Sequence, residues 1–235
     1  SLPPERRLPL DVRRLAEAGR FVVRSRFAMG FTLAQAVIFG FFASYLATTQ
    51  LIISDIYDLA AWFPFIFGAS ALAYGLATLA NPRFIDRVGL RRVLRFAISG
   101  LVLTSVVFAA IALAFGGRPP LGLFLAGIVS ILLMHAWSMP NLNSAAMMPM
   151  GRVAGTAAAV IGATATLGGA TIGALIDARY DGSITPMAVA GVVVALIAFA
   201  LTRWSDMVWE RDADRQVLTP AEQAEAAASA PMEVG

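Results

Sequence analysis

The charged segment DRVGLRR (86–92) holds residue types that can form and break ion pairs. Asp86 could pair with an arginine or with the positive N-terminal end of a neighbouring helix, and Gly89 permits a tight turn between antiparallel helices. Because such a pair can form in one conformation and break in another, the segment favours gating over catalysis. The alternative is that its arginines only set the orientation of the chain. The predicted gating residues are Asp86, Arg87, Gly89, Arg91 and Arg92.

A second group of polar residues lies in strongly apolar sequence, near HAWSMPNLN (135–143). Pro140 frees backbone groups that Asn141 could satisfy, and polar side chains in such surroundings usually face a cavity or a partner helix. We predict that Asn141 lines a cavity, with an internally satisfied helix break as the alternative. His135 is the only histidine, and a neutral, hydrogen-bonded role is favoured over that of a proton carrier.

Small residues dominate the segment 153–176. Pairs of small residues four positions apart allow two helices to approach closely, so this segment is typical of a tightly packed helix. The spacing alone does not identify the neighbouring helix. The predicted helix-packing residues are Gly155, Gly162, Gly169 and Gly173.

The elements that must position these residues follow from the distribution of charge. Only 14% of the residues are charged, and the chain has six uncharged stretches of at least 21 residues each. About 20 apolar residues in a helix span the hydrocarbon core of a membrane, which predicts an all-α membrane protein with six spanning helices. The predicted helices are 28–53, 60–81, 96–116, 120–143, 153–176 and 184–204.

The arginines also predict the orientation of the chain. Positive residues are enriched in cytoplasmic loops, and with both termini inside, 16 of the 18 arginines lie on the cytoplasmic side. The positive charge therefore marks membrane ends rather than a nucleic-acid site. The absence of cysteine excludes disulfides, thiolate metal sites and cysteine nucleophiles, and no P-loop motif is present.

Three regions are predicted along the chain. Residues 1–27 form a cytoplasmic linker, which is either an amphipathic surface helix or a simple connection, and residues 28–204 form the six-helix domain. Residues 205–235 form a cytoplasmic tail, with a short frayed helix and disorder as the two alternatives. The first residue is Ser rather than Met, which predicts that the chain begins inside a longer one, with processing as the alternative.

Several segments together resemble a known family. NPRFIDRVGLRRVLR (81–95) resembles the cytoplasmic motif G-x-L-x-D-R-x-G-R-R of the major facilitator superfamily, with Pro82 and Leu90 at two departures. The segment 139–177 resembles helices 10 and 11 of the Bcr/CflA drug-resistance exporters, and 42–57 resembles their helix 7 with the following loop. Met148 stands where some members carry an acidic residue, so any role of that carboxylate is in doubt here.

The resemblance implies the C-terminal six-helix half of a twelve-helix, proton-coupled multidrug exporter in a bacterial inner membrane. The N-terminal half would be its partner, the glycine-rich helix would face that half, and the substrates would be small amphipathic or cationic drug-like molecules. It implies a proton gradient but no organic cofactor or metal. The helices that correspond to the cavity-lining ones supply the candidate substrate contacts Gln35, Phe39, Phe42, Tyr45, His135 and Asn141.

Two alternatives from other classes remain open at this point. The first is a standalone six-helix protein that forms a homodimeric channel or permease. The second is an intramembrane serine protease built on Ser70 and His135, for which we find no oxyanion donors in a suitable place.

Overall fold

The computed structural model describes residues 19–20 and 24–216. The rest of the predicted linker and the tail beyond residue 216 lie outside the described residues. The described chain is helical almost throughout. Its elements are α1 (Arg26–Asp55), a 3₁₀ turn (Ala60–Trp62), α2 (Phe63–Val88), α3 (Leu90–Ala114), α4 (Leu121–Met147), a second 3₁₀ segment (Met148–Val153), α5 (Ala154–Asp177) and α6 (Thr185–Gln216).

Six of these segments are long and apolar enough to cross a membrane, as the charge distribution predicts. The helix ends differ from the predicted ones, because charge marks the edge of the membrane and not the end of a helix. Arginine is a good helix former, so α2 continues through Arg87 to Val88 and α3 begins at Leu90. The arginine-rich segment is therefore two helix ends joined at Gly89, not a loop.

Helix α1 lies at the centre of the bundle. It packs chiefly against α5 and α6 and also against α4, while α3 packs against α4 and α6. Helix α2 is attached mainly to α4, and only Ser70 and Asn81 along its length are buried. The core therefore surrounds α1, and α2 stands at the edge of the bundle.

The glycine stripe of α5 divides between two environments. A β-carbon at Gly169 would lie 2.4 Å from Phe39 Cδ1, and one at Gly173 would lie 3.0 Å from Ala43 Cβ, so these positions pack against α1 within the chain. A β-carbon at Gly155 or Gly162 would meet nothing within 4 Å. The expectation that the whole stripe faces another half is therefore corrected for Gly169 and Gly173. Their side of α5 is covered by the central helix.

Helix α6 runs past residue 204, where the cytoplasmic tail was predicted to begin. Ser205 and Asp206 are buried, and Ser205 lies so close to α1 that a β-carbon at Gly30 would clash with its hydroxyl. The helix continues because these residues pack against the bundle instead of entering water. Sequence hydropathy ends the span early, since it counts Asp206 as a solvent-exposed charge.

Candidate functional site

Aromatic rings from α1, α2 and α4 meet in one group, here called the aromatic cluster: Phe42, Tyr45, Phe67, Tyr74 and His135. Phe42 is at its centre. Its ring stacks on His135 with centroids 4.6 Å apart and on Tyr74 with centroids 5.6 Å apart. Tyr45 stacks on Phe42 at 6.1 Å and on Phe67 at 5.9 Å.

A cavity of about 90 Å³ adjoins the aromatic cluster between α1, α2 and α4. Its lining is almost wholly apolar and includes Phe42, Tyr45, Phe67 and Tyr74. Pockets that enclose a drug-sized molecule measure roughly 300–1,000 Å³. This space is therefore too small to hold such a ligand by itself, and a complete site needs a second surface.

Three hydrogen-bonded bridges join α2 to α4, here called the polar ladder. Tyr74 Oη lies 3.2 Å from His135 Nδ1, where either atom can donate according to the histidine tautomer. Trp137 Nε1 donates to the backbone oxygen of Ala77 at 2.8 Å. Asn81 and Asn141 each donate to the other's side-chain oxygen, at 3.2 and 3.0 Å.

The positions 74, 77 and 81 recur at helical spacing, so the polar ladder follows one face of α2. This face, together with the stacked rings of Phe67 and Tyr74, attaches α2 to the bundle. The periodicity of its α2 members is visible in the sequence, whereas their partners on α4 are not.

Five of the six predicted substrate contacts divide into three groups. Phe42, Tyr45 and His135 come together in the aromatic cluster. Phe39 lies beside Phe42, 6.3 Å between centroids, but it also packs on α5. Gln35 is buried, and its side-chain oxygen has no hydrogen-bond partner among the residues that the structure describes.

Asn141 is only 1% exposed, and its amide is bonded to Asn81. The structure thus corrects the prediction that Asn141 lines a cavity. Its amide is satisfied within the bundle, because a buried amide with no partner would cost free energy. Ser70 Oγ likewise donates to the backbone oxygen of Ile66 at 3.0 Å, which is an ordinary intrahelical bond.

The predicted gating residues surround a strained turn. Gly89 has φ +86°, a conformation that favours glycine, and its N–H donates to the oxygen of Ile85 at 2.8 Å. Asp86, Arg87 and Arg92 are exposed. Asp86 makes no ion pair with the side chains that the structure describes, and its gating role stays a prediction.

An ion pair that the sequence does not predict joins α3 to α6 at this end of the bundle. Arg95 Nε on α3 lies 3.8 Å from Asp206 Oδ2 on α6, and the aspartate side chain is 7% exposed. Arg95 belongs to the same arginine-rich segment as the gating residues. Its acidic partner is missed because Asp206 was placed in the solvated tail.

Polar contacts also tie α1 to its neighbours at the opposite end. Ser44 and Thr48 of α1 donate to Asp177 Oδ1 of α5, at 2.5 and 2.7 Å.

Two tyrosines lie in the connections at this end of the bundle. Tyr57 Oη donates to the oxygen of Pro119 at 2.9 Å, and burial raises the pKa of Tyr57 to about 12. Burial, followed by the nearby Asp55 carboxylate, also raises the pKa of Tyr180.

Comparison with known proteins gives two relatives. An uncharacterised MFS-type transporter of Bacillus subtilis, YdgK, is 24% identical over 207 residues, which is 86% of this chain and 51% of the relative. A bicyclomycin resistance protein homologue of Haemophilus influenzae is 23% identical over 199 residues, 83% of this chain and 49% of the relative. No family model and no solved structure matches the chain.

The chain spans about half the length of these curated relatives. One relative is described as a transporter and the other as a drug-resistance protein homologue, so the protease alternative is set aside and no enzymatic activity is assigned to the chain. The resemblance to the major facilitator drug-resistance transporters is confirmed, and the chain is an all-α membrane protein whose six spanning helices are similar to half of such a transporter.

Proposed function

We propose that the chain is the C-terminal half of a proton-coupled exporter of small amphipathic or cationic molecules. The observation that carries this proposal is the aromatic cluster. Its stacked faces lie in an otherwise apolar bundle and adjoin a cavity that is too small to enclose a ligand. Aromatic faces attract cations and also accept apolar groups, which suits amphipathic cations as substrates.

The incomplete cavity supports a partner for this bundle. Two spans, α2 and α5, are the least buried, and Gly155 and Gly162 of α5 face open space. Small residues on an uncovered helix face suit close approach by another helix. The N-terminal six-helix half of the same transporter is the proposed occupant, and the substrate site would lie between the two halves.

Two parts of the proposal, the proton gradient as energy source and the alternating movement of two halves, rest on the resemblance. The halves would rock about the substrate site, with the turn at Gly89 and the Asp86 carboxylate forming a latch in one of the two conformations. Both termini would lie in the cytoplasm of a bacterial inner membrane, as the arginine distribution predicts. The proton gradient is proposed from the resemblance alone, and no residue of this chain is assigned to carry the proton.

Efflux of ethidium, a cationic aromatic dye, tests the proposal. The full-length protein is expressed in a bacterial strain without its major drug exporters, and dye accumulation is followed with and without a protonophore. We expect lower accumulation that the protonophore reverses, and a loss of this effect in Phe42→Ala. Phe115→Ala, at an exposed position directly after α3, is the matched control and should export normally.

Two outcomes would contradict the proposal. Higher accumulation than in cells without the protein would indicate import. Export that continues at full rate with the protonophore would exclude proton coupling while leaving the export of cations in place.

A further inference from the structure

A cleft of about 210 Å³ lies between α3 and α6, at the end of the bundle that carries the Gly89 turn. Both helices contribute three residues at positions i, i+3 and i+4, which is one face of a helix. Each face combines one arginine, one hydroxyl and one apolar side chain. The lining residues are Arg95, Ile98 and Ser99 from α3, and Phe199, Thr202 and Arg203 from α6.

The polarity of the cleft changes with depth. Arg95 lies five residues, about 8 Å, from the start of α3. Because α6 runs in the opposite direction, Arg203 lies near the same end of the bundle. Ile98 and Phe199 lie about one helical turn farther along their helices, toward the middle of the spans. The cleft is therefore positively charged near the membrane surface and apolar toward its interior.

The ion pair with Asp206 fixes one of the two arginines. Asp206 Oδ2 lies 3.8 Å from Arg95 Nε, and the aspartate side chain is buried while that of Arg95 is 49% exposed. Asp206 does not line the cleft. A guanidinium has five N–H donors, so the contact through Nε positions Arg95 while its other nitrogens can face the cleft.

We propose that this cleft binds the phosphate headgroup of an anionic phospholipid, with Arg95 and Arg203 as the phosphate ligands. Guanidinium groups match the geometry of phosphate oxygens, and basic pockets between spanning helices are suited to anionic headgroups. Trp204 follows Arg203 and is 39% exposed, as expected of a tryptophan at the membrane interface. The acyl chains would extend along Phe199, which is exposed toward the surrounding lipid.

Lipid titration of the purified full-length protein by native mass spectrometry tests this site. The probes are phosphatidylglycerol, phosphatidylcholine and inorganic phosphate as a competitor. An arginine near a membrane surface contributes about 1 kcal/mol toward an anionic lipid, so Arg203→Gln should weaken phosphatidylglycerol binding about fivefold. Binding of phosphatidylcholine should not change.

Two further variants keep the result interpretable. Arg92→Gln removes an exposed arginine at the same end of the bundle but outside the cleft, and it should bind phosphatidylglycerol like the wild type. Ser99→Asp places a negative charge in the cleft, one helical turn from Arg95, and it should weaken phosphatidylglycerol binding at least as much as Arg203→Gln.

Three results would overturn the proposal. Equal affinity of the wild-type protein for both lipids would show that the cleft does not select anionic headgroups. Equal losses in Arg203→Gln and Arg92→Gln would indicate a diffuse surface charge rather than a site. Displacement of phosphatidylglycerol by an equal concentration of inorganic phosphate would identify a site for a free anion instead of a lipid.

Discussion

The α1–α5 and α2–α4 interfaces hold their helices together by different means. Along most of α1–α5, glycines bring the two backbones close, as at Gly40, Gly169 and Gly173, and hydrogen bonds appear only near one end. Along α2–α4, the hydrogen bonds of the polar ladder bridge the two helices, and only Ser70 and Asn81 of α2 are fully buried. Between helices in lipid, close packing and interhelical hydrogen bonds replace the hydrophobic effect as the source of association.

This difference bears on which helices can move. A close-packed interface forfeits many small contacts if the helices separate, so α1 and α5 are expected to move as one body. A few hydrogen bonds can break and re-form with little change in packing. The α2–α4 interface, which shares Tyr74 and His135 with the aromatic cluster, is therefore the one better suited to a change of conformation.

The largest expected effect is on the close-packed interface. In Gly169→Leu the new side chain would meet Phe39 and the backbone oxygen of Ala36, so one helix must shift. Overpacking of this kind costs about 1–3 kcal/mol or more, which should appear as a large fall in the thermal unfolding midpoint in detergent. Gly122→Leu, in the first turn of α4 where an added β-carbon would meet nothing within 4 Å, is the control and should unfold near the wild-type midpoint. Equal losses in both variants would show that α5 does not pack on α1 in this register.

A smaller effect is expected at the buried amide pair of the polar ladder. Asn141→Leu leaves the amide of Asn81 without its partner and should reduce the free energy of unfolding by about 1–2 kcal/mol. The double variant Asn81→Leu/Asn141→Leu removes both polar groups and should recover part of this loss. A double-mutant cycle of unfolding midpoints measures the coupling. Strictly additive losses would mean that the two amides do not interact.

The polar end of the close-packed interface should matter less. In Asp177→Asn the hydroxyls of Ser44 and Thr48 lose a charged acceptor, which should cost about 1 kcal/mol at this partly buried position. Asp181→Asn changes the same charge in the following turn and should leave the unfolding midpoint unchanged. If the two variants behave alike, the loss comes from net charge and not from the α1–α5 contact.

The smallest effect concerns Tyr57, whose pKa is raised by burial from 10.0 to about 12. Below pH 10 the phenol is protonated in both the folded and the unfolded state, so it makes no pH-dependent contribution. Between pH 10 and 12 the folded state binds more protons than the unfolded one, and stability should fall as the pH rises. Tyr57→Phe should lose the bond to Pro119 and flatten this decline in unfolding midpoints measured against pH. An unchanged decline would assign it to other groups.

The number of spans could be predicted from the sequence because uncharged stretches of sufficient length are a direct physical requirement of a lipid core. The ends of helices could not, since the backbone of α3 continues through Arg91 and Arg92, and α6 continues past a buried Asp206. Composition therefore predicts which residues lie in the membrane, but it does not predict where a helix ends and a loop begins.

The candidate site could be predicted only in part. Phe42, Tyr45 and His135 could be predicted because the resemblance assigns their helices to the wall of the cavity, and the packing of α1 on α4 brings their rings together. The sequence predicts a cavity position for Asn141 because polar side chains within a span usually face a cavity or a partner helix. Its partner Asn81 is 60 residues away and lies beside it only through the packing of α2 on α4. The sequence likewise does not show that Gly169 and Gly173 of α5 face α1 while Gly155 and Gly162 face open space, because this depends on how α5 packs on α1.

The most direct test of the half-transporter proposal compares ethidium export by the full-length protein with export by the 235-residue chain alone, at matched membrane abundance. The incomplete cavity and the uncovered faces of α2 and α5 predict that the full-length protein exports the dye and that the chain alone does not. Export by the chain alone, at a rate comparable with that of the full-length protein, would contradict the proposal and favour a homodimeric permease.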